Sequence, residues 1–372
     1  MGVIRFLLAL SVVAGHCGPI LGTTFISGQI AVQSFYVISG FYMALVLDTK
    51  YNYTGSYWTF IGQRVLRLYP VYYLVALATL VASFVAAGIT GVHYPAVAQM
   101  MNLFPYMTIL SKVFVVLVQV TMVGQDSVLF TGLGGTPLHF YFLSDFRLAR
   151  FQVWQFLLVP QTWTVSLEMM FYALAPLLCR LRLRAIVLLM GASFLFRYIG
   201  YWSFGLSHDP WTYRFFPFEL GFFLAGSVAY KFYRRFKLEL EARKMELLVL
   251  FGALVAFTIF YKWIQHLPSR QHLYYLCVFS LVPGLFAIFK DNPVDRFFGE
   301  LSYPIYLTHY VVNYYFHLWA AQHCPPFYQG AMIAVVTVLV SATIYLLFER
   351  PIDRFRYWLF KRRTLDNCAA AP

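Results

Sequence analysis

The sequence predicts an all-α fold: a polytopic membrane bundle of about ten transmembrane helices, with a re-entrant or surface helix near residues 103–123. Three observations predict it. Of the 372 residues, 60% are hydrophobic, 20% aromatic and only 12% charged, whereas soluble domains run near 25% charged. The mean hydropathy is +0.66, and apolar runs of membrane-spanning length recur along the chain. Lys and Arg fall in short clusters between those runs, which is the pattern of a positive-inside membrane protein. The net charge of +13 therefore reflects topology and anionic lipid, and nucleic acid is not an expected partner.

Spans can be drawn at 3–24, 28–47, 68–88, 161–180, 185–203, 214–233, 245–263, 272–290, 302–321 and 328–348. Charge decides the ambiguous stretch at 103–123. With ten spans and both termini in the cytoplasm, 21 of the 28 Lys and Arg lie inside. Counting 103–123 as a further span sends one basic cluster after another outside. That segment is therefore assigned to a long outer loop, residues 89–160. The N-terminal run lacks a small-residue cleavage site and reads as a retained first span. No internal repeat is visible. Residues 1–349 form a single transmembrane domain, and 350–372 a basic cytoplasmic tail with a polar end expected to be disordered. The five cysteines have no CxxC spacing and imply neither a disulfide framework nor a metal site. Cys368-Ala-Ala-Ala resembles a prenylation box but is followed by Pro372.

Ionisable residues inside a membrane are costly and point to function. In the first span Arg5 and His16 are eleven residues apart, about 1100° of helical rotation, so they share one face roughly 16 Å apart along the axis. Arg5 sits at the cytoplasmic boundary and His16 just past mid-membrane. A cation at the mouth and an imidazole in the depth suit a ligand with an anionic head and a long arm, the shape of acyl-CoA. Cys17 points about 100° away from His16 and is read as packing.

The fourth span brings Glu168 to a depth matching that of His16. A buried carboxylate needs a partner, and an imidazole base beside an orienting carboxylate is the logic of general base catalysis. In the second span Ser39-Gly40-Phe41 supplies small residues for close helix approach, with Ser39 as a polar lining. Gln63-Arg64-Val65-Leu66-Arg67 places two arginines just before the third span, where guanidinium groups suit phosphates. Ser302 to His309 opens the ninth span and leaves His309 in the inner half of the membrane, where a lone histidine reads as structural more than as catalytic. Trp202, Trp211, Tyr213 and Phe215 in the outer loops read as an interfacial belt more than as a sugar platform.

Taken in order, these residues resemble the acyltransferase-3 family of integral-membrane acyltransferases, which modify lipopolysaccharide, peptidoglycan, exopolysaccharide and some small molecules. Arg5 and His16 are similar to the family's Arg-x10-His pair. Ser39 to Phe41 resembles its Ser-Gly-Phe, and Arg64 with Arg67 its Arg-x-x-Arg. Its Trp-Ser-Leu-x-x-Glu-x-x-Phe-Tyr element resembles Trp163, Thr164, Val165, Glu168, Phe171 and Tyr172, with an inner spacing offset by one that leaves Ser166 without an assigned role. Ser302 to His309 resembles Ser-Tyr-x-Ile-Tyr-Leu-x-His, and Glu349 before Pro351 a closing Glu-x-Pro.

The resemblance implies a ten-span fold, a cytoplasmic acyl-CoA donor, and Arg5 and His16 as essential residues. The resulting expectation is an O-acyltransferase of a bacterial inner membrane that uses acetyl-CoA. Its acceptor would be a hydroxyl of a cell-surface polysaccharide or lipid-linked glycan. His16 and Glu168 are the expected catalytic residues, and Arg5, Arg64 and Arg67 the expected donor-binding residues. Ser39, Trp163 and His309 are further candidates. A polysaccharide polymerase or glycosyltransferase and a glycan transporter are the alternatives. The few formal charges in 89–160 speak against the first, and the missing repeat against the second.

Overall fold

Helix signals in the sequence are mostly local, and they act where expected. Ser27 caps α2 (Gly28–Thr49) by accepting from the Ile30 amide at 3.3 Å. The long α3 (Ser56–Thr90) follows α1 (Gly2–Cys17) and α2. Next come α4 (Pro95–Leu103), α5 (Ile109–Thr121), α6 (Trp163–Leu178) and α7 (Leu183–Ser203). After them lie α8 (Phe216–Arg235), α9 (Lys237–Ala242), α10 (Lys244–Phe260), α11 (Arg270–Phe289), α12 (Pro293–His323), α13 (Pro326–Ile344) and α14 (Arg350–Ala369). The computed structural model of the chain describes residues 1–53 and 56–369, with side chains through residue 359. The polar end of the tail, expected to be disordered, continues α14 as helix through Ala369; residues 370–372 and the Cys368 side chain, on which the prenylation-like box falls, lie outside the described residues.

Six helices among the described residues are long and apolar enough to cross a membrane: Gly28–Thr49, Ser56–Thr90, Leu183–Ser203, Lys244–Ile264, Arg270–Phe289 and Pro326–Leu359. The other four expected spans also form helices, α1, α6, α8 and α12, but each falls short in length or apolarity. Two of them, α1 and α6, have 16 residues, about 24 Å of helix, against a hydrocarbon core of roughly 30 Å. For α8 and α12 the physical reason is position. The outer helices α3, α7, α10, α11 and α13 turn Leu77, Leu188, Val249, Leu276 and Leu339 outward. The interior ones instead carry buried polar groups such as Ser11, Ser166, Glu219, Ser302 and His309. Polar side chains that satisfy one another inside the bundle lower the hydropathy of the helices that hold them.

Three boundaries differ from the sequence reading. Helix α1 stops at Cys17 because Gly18 takes φ +96° before Pro19, so His16 lies in the last turn of the helix. Helix α3 starts at Ser56 and takes in both Arg64 and Arg67; its polar first turns hid it from a hydropathy window. Helix α12 starts at Pro293, where Asn292 accepts from the Val294 and Asp295 amides. His309 is therefore a mid-helix residue. The loop 89–160 carries α4 and α5 where a single re-entrant or surface helix was expected. At 13 residues, α5 measures roughly 20 Å, too short to span. The same loop adds a feature outside an all-α reading: a small antiparallel sheet in the order β2-β1-β3, with β1 Thr131–Gly134, β2 His139–Phe142 and β3 Phe151–Gln152. Its strands are two to four residues long, below what sequence alternation can signal.

Close packing of α2 on α8 has a simple cause. A Cβ on Gly40 would lie 1.9 Å from the Phe223 carbonyl oxygen, and one on Gly226 would lie 1.9 Å from that of Val37. Only glycine permits this approach. Gly40→Ala should destabilise the protein by about 1–3 kcal/mol through overpacking, read as a lower thermal midpoint in detergent. Gly191→Ala, where a Cβ meets nothing within 4 Å, should be neutral or slightly stabilising; equal effects at both sites would refute the packing account.

Candidate active site

Among the described residues, two cavities inside the bundle hold the candidate residues. The larger, about 380 Å³, opens at the end where α1 begins. Its wall carries Arg5 from α1, Lys50 after α2, Arg64 and Arg67 from α3, Lys290 after α11, Arg296 from α12 and Arg356 from α14. The acidic residues on the same wall are Glu168, Asp295 and Glu300. Asp295 is engaged elsewhere, accepting from the amides of Gly2 at 2.6 Å and Val3 at 3.0 Å, which caps α1. Arg67 pairs with Glu300 at 3.1 Å, and Arg356 with Asp353 at 2.8 Å.

Positive charge is thus in excess, and part of it lacks partners. Arg64 Nε and Arg356 Nη1 are buried donors with no hydrogen bond, although the Arg64 guanidinium stacks 5.6 Å from the Phe60 ring. A buried, unsatisfied charged donor is expensive, and an anion bound in the cavity would relieve it. The structure therefore brings Arg5, Arg64 and Arg67 onto one wall, with four further cations that sequence reasoning did not single out. Beside them Glu300, Glu349 and Asp353 place carboxylate oxygens within 4.8 Å of one another, a grouping that could hold a cation; Arg67 and Arg356 already supply positive charge there.

The deep end of this cavity is polar and then apolar. Tyr172 donates to Glu168 Oε2 at 2.9 Å, and the Ser39 and Tyr172 hydroxyls are 3.5 Å apart. Beyond stand Val32 and Tyr306, which touch both cavities.

The second cavity, about 160 Å³, holds His16 with Gln161, Trp163, Tyr213, Arg214 and Tyr310. Here the expected His16–Glu168 pair is corrected. His16 Nδ1 is 3.0 Å from His309 Nε2, and Glu168 belongs to the other cavity. The cause is the packing of α1 against α12, which brings positions 16 and 309 together. His309 Nδ1 lies 2.8 Å from the Tyr306 carbonyl oxygen. A carbonyl only accepts, so Nδ1 carries the hydrogen and a neutral His309 has a bare Nε2. That nitrogen must accept from His16 Nδ1–H, which leaves His16 Nε2 unprotonated and free. His309, read as structural from sequence, is the group that sets the His16 tautomer.

Trp163 and Arg214 form the opposite wall. The Arg214 guanidinium lies 4.3 Å over the Trp163 ring and 2.6 Å from Asp209 Oδ1, a stacked cation–π contact. Gln161 donates to the Leu307 carbonyl at 2.6 Å, but its Oε1 is buried without a partner, a free acceptor beside the cavity. Arg214 and Gln161 carry no motif, and only the fold reveals them. Tyr213, assigned from sequence to the interfacial belt, faces this cavity, whereas Trp202 is exposed. Ser166 ties the loop down, accepting from the Gly124 amide at 2.9 Å and donating to Asp126 Oδ1 at 2.6 Å. Cys17 lies beside the dyad, its thiol 3.8 Å from the His309 carbonyl.

The acyltransferase-3 family model, described as an acyltransferase domain, matches residues 1–346. Neither a curated protein nor a solved structure matches the chain.

Proposed function

The chain belongs to the acyltransferase-3 family, and on that premise we propose that it is an acyl-CoA-dependent O-acyltransferase, with acetyl-CoA as donor. The acceptor is a hydroxyl of a cell-surface polysaccharide or lipid-linked glycan. The setting is a bacterial inner membrane with both termini in the cytoplasm, where the donor cavity opens. The observation that carries this reading is the cation-lined cavity, with its two buried guanidinium donors that lack partners. CoA presents three phosphates to such a wall, and arginine is suited to hold them.

In this mechanism the acyl arm passes Ser39 and Glu168 and reaches the His16 cavity. The acceptor hydroxyl, hydrogen-bonded to Gln161 Oε1 and flanked by Trp163, attacks the thioester carbonyl carbon. His16 Nε2 takes the hydroxyl proton, and the bond from Nδ1–H to His309 holds the ring as charge develops. The carbon–sulfur bond then breaks, and the imidazolium returns the proton to the leaving thiolate. Glu168 acts on the donor side, orienting the arm through Tyr172.

Purified protein in lipid nanodiscs, given acetyl-CoA and envelope glycan from a strain lacking the gene, should release free CoA thiol and acetylate the glycan by mass spectrometry. Binding without any thiol release would refute the transferase reading and favour transport. Glu168→Gln keeps shape and removes charge, so it should lower turnover more than donor affinity; loss of affinity alone would make Glu168 a binding residue.

A further inference from the structure

Between the two cavities stand two side chains from different helices, Val32 of α2 and Tyr306 of α12, each lining both. On the proposed reading, the donor's phosphates are held at the far end of one cavity while the base lies in the other. The acyl group must therefore cross between these two side chains. We propose that Val32 and Tyr306 form a partition that sets which acyl groups reach His16, limiting the donor to short, unbranched chains; this rests on the acyl-CoA reading above.

Four observations support it. Both cavities are lined here by an isopropyl group and a phenol ring, so the boundary suits an acyl arm and not the charged nucleotide. It is fixed: Val32 is 5% exposed, and the Tyr306 hydroxyl donates to the Gln161 carbonyl at 3.0 Å. It is coupled to the base, because the Tyr306 carbonyl accepts from His309 Nδ1 at 2.8 Å, and displacing Tyr306 disturbs the tautomer of His16. The chamber beyond is small, with less than half the volume of the donor cavity, about 160 Å³ against 380 Å³, and it must also admit the acceptor.

A residue that shapes an apolar pocket discriminates by size. One methylene more or less changes relative rates by about 10–200-fold. The test uses full-length protein in nanodiscs with acetyl-, butyryl- and octanoyl-CoA and glycan from the deletion strain, reading thiol release and, separately, CoA binding by calorimetry. Val32→Ala should raise the butyryl-to-acetyl rate ratio about tenfold or more. Val32→Phe should stop transfer of every chain length while CoA still binds, and Tyr306→Phe, which keeps the ring but frees it from Gln161, should broaden the profile. If Val32→Phe fails to bind CoA because it misfolds, Val32→Ile should still steepen the preference for acetyl. An unchanged chain-length profile in Val32→Ala and Val32→Ile overturns the partition. A wild-type protein that neither binds CoA nor releases thiol overturns the donor reading itself, a result distinct from an unchanged profile.

Discussion

His16→Ala should lower acyl transfer by about 10²–10⁴-fold, the range over which a positioned general base acts, while CoA binding and membrane insertion persist. The expectation follows from separation in space. His16 lines the smaller cavity, and the cations line the larger one, so removing the imidazole leaves the donor wall intact. It follows also from the hydrogen-bond chain: with His309 Nδ1–H committed to the Tyr306 carbonyl, the free nitrogen of His16 is the basic one. His309→Phe keeps an aromatic ring but deletes the acceptor for His16 Nδ1–H. It should reduce kcat by a smaller factor than His16→Ala and leave the CoA dissociation constant unchanged. Single-turnover thiol release and calorimetric CoA binding on the same samples separate the two effects. Wild-type turnover in a folded His16→Ala protein would remove His16 from the chemistry, and full turnover in His309→Phe would reduce the dyad to packing.

How far the sequence led depends on the distance over which each signal acts. The Arg5–His16 spacing lies within one helix and needs only helical periodicity, so both residues were legible. The Arg64 and Arg67 pair was legible for the same reason, although α3 begins earlier than hydropathy indicated. The pairing of His16 was not. It depends on α1 packing against α12, a contact between residues 293 positions apart in the chain, and periodicity within one helix does not say which helix lies beside it. The number of spans is a separate matter: α1 and α6 are apolar but only 16 residues long, and α8 and α12 carry buried polar groups such as Glu219 and His309. Lys50, Lys290, Arg296 and Arg356 sat in clusters read as topology signals. Only their convergence on one cavity wall sets them apart from anchors, and convergence is a property of the fold.

The donor wall makes the second large expectation. Arg64→Ala should weaken acetyl-CoA binding by roughly ten- to a hundredfold, the effect of losing one charge-assisted contact worth about 1.5–3 kcal/mol. Arg64 is the cleaner probe because its Nε has no protein partner. Arg67→Ala should cost at least as much for a second reason. Arg67 neutralises Glu300, next to Glu349 and Asp353, so its loss leaves an acidic cluster facing the phosphates. Glu300→Gln in the Arg67→Ala background should therefore recover part of the affinity, whereas it should recover none in Arg64→Ala. Lys at position 64 should rescue only in part, because an ammonium cannot reproduce the planar fork of guanidinium. The losses should shrink with pantetheine thioesters, which lack the nucleotide and its phosphates. Calorimetric titration of both donors into each variant decides the matter. Equal weakening of CoA and pantetheine thioesters, or no weakening of either, would make Arg64 and Arg67 membrane anchors and would move the donor site away from this cavity.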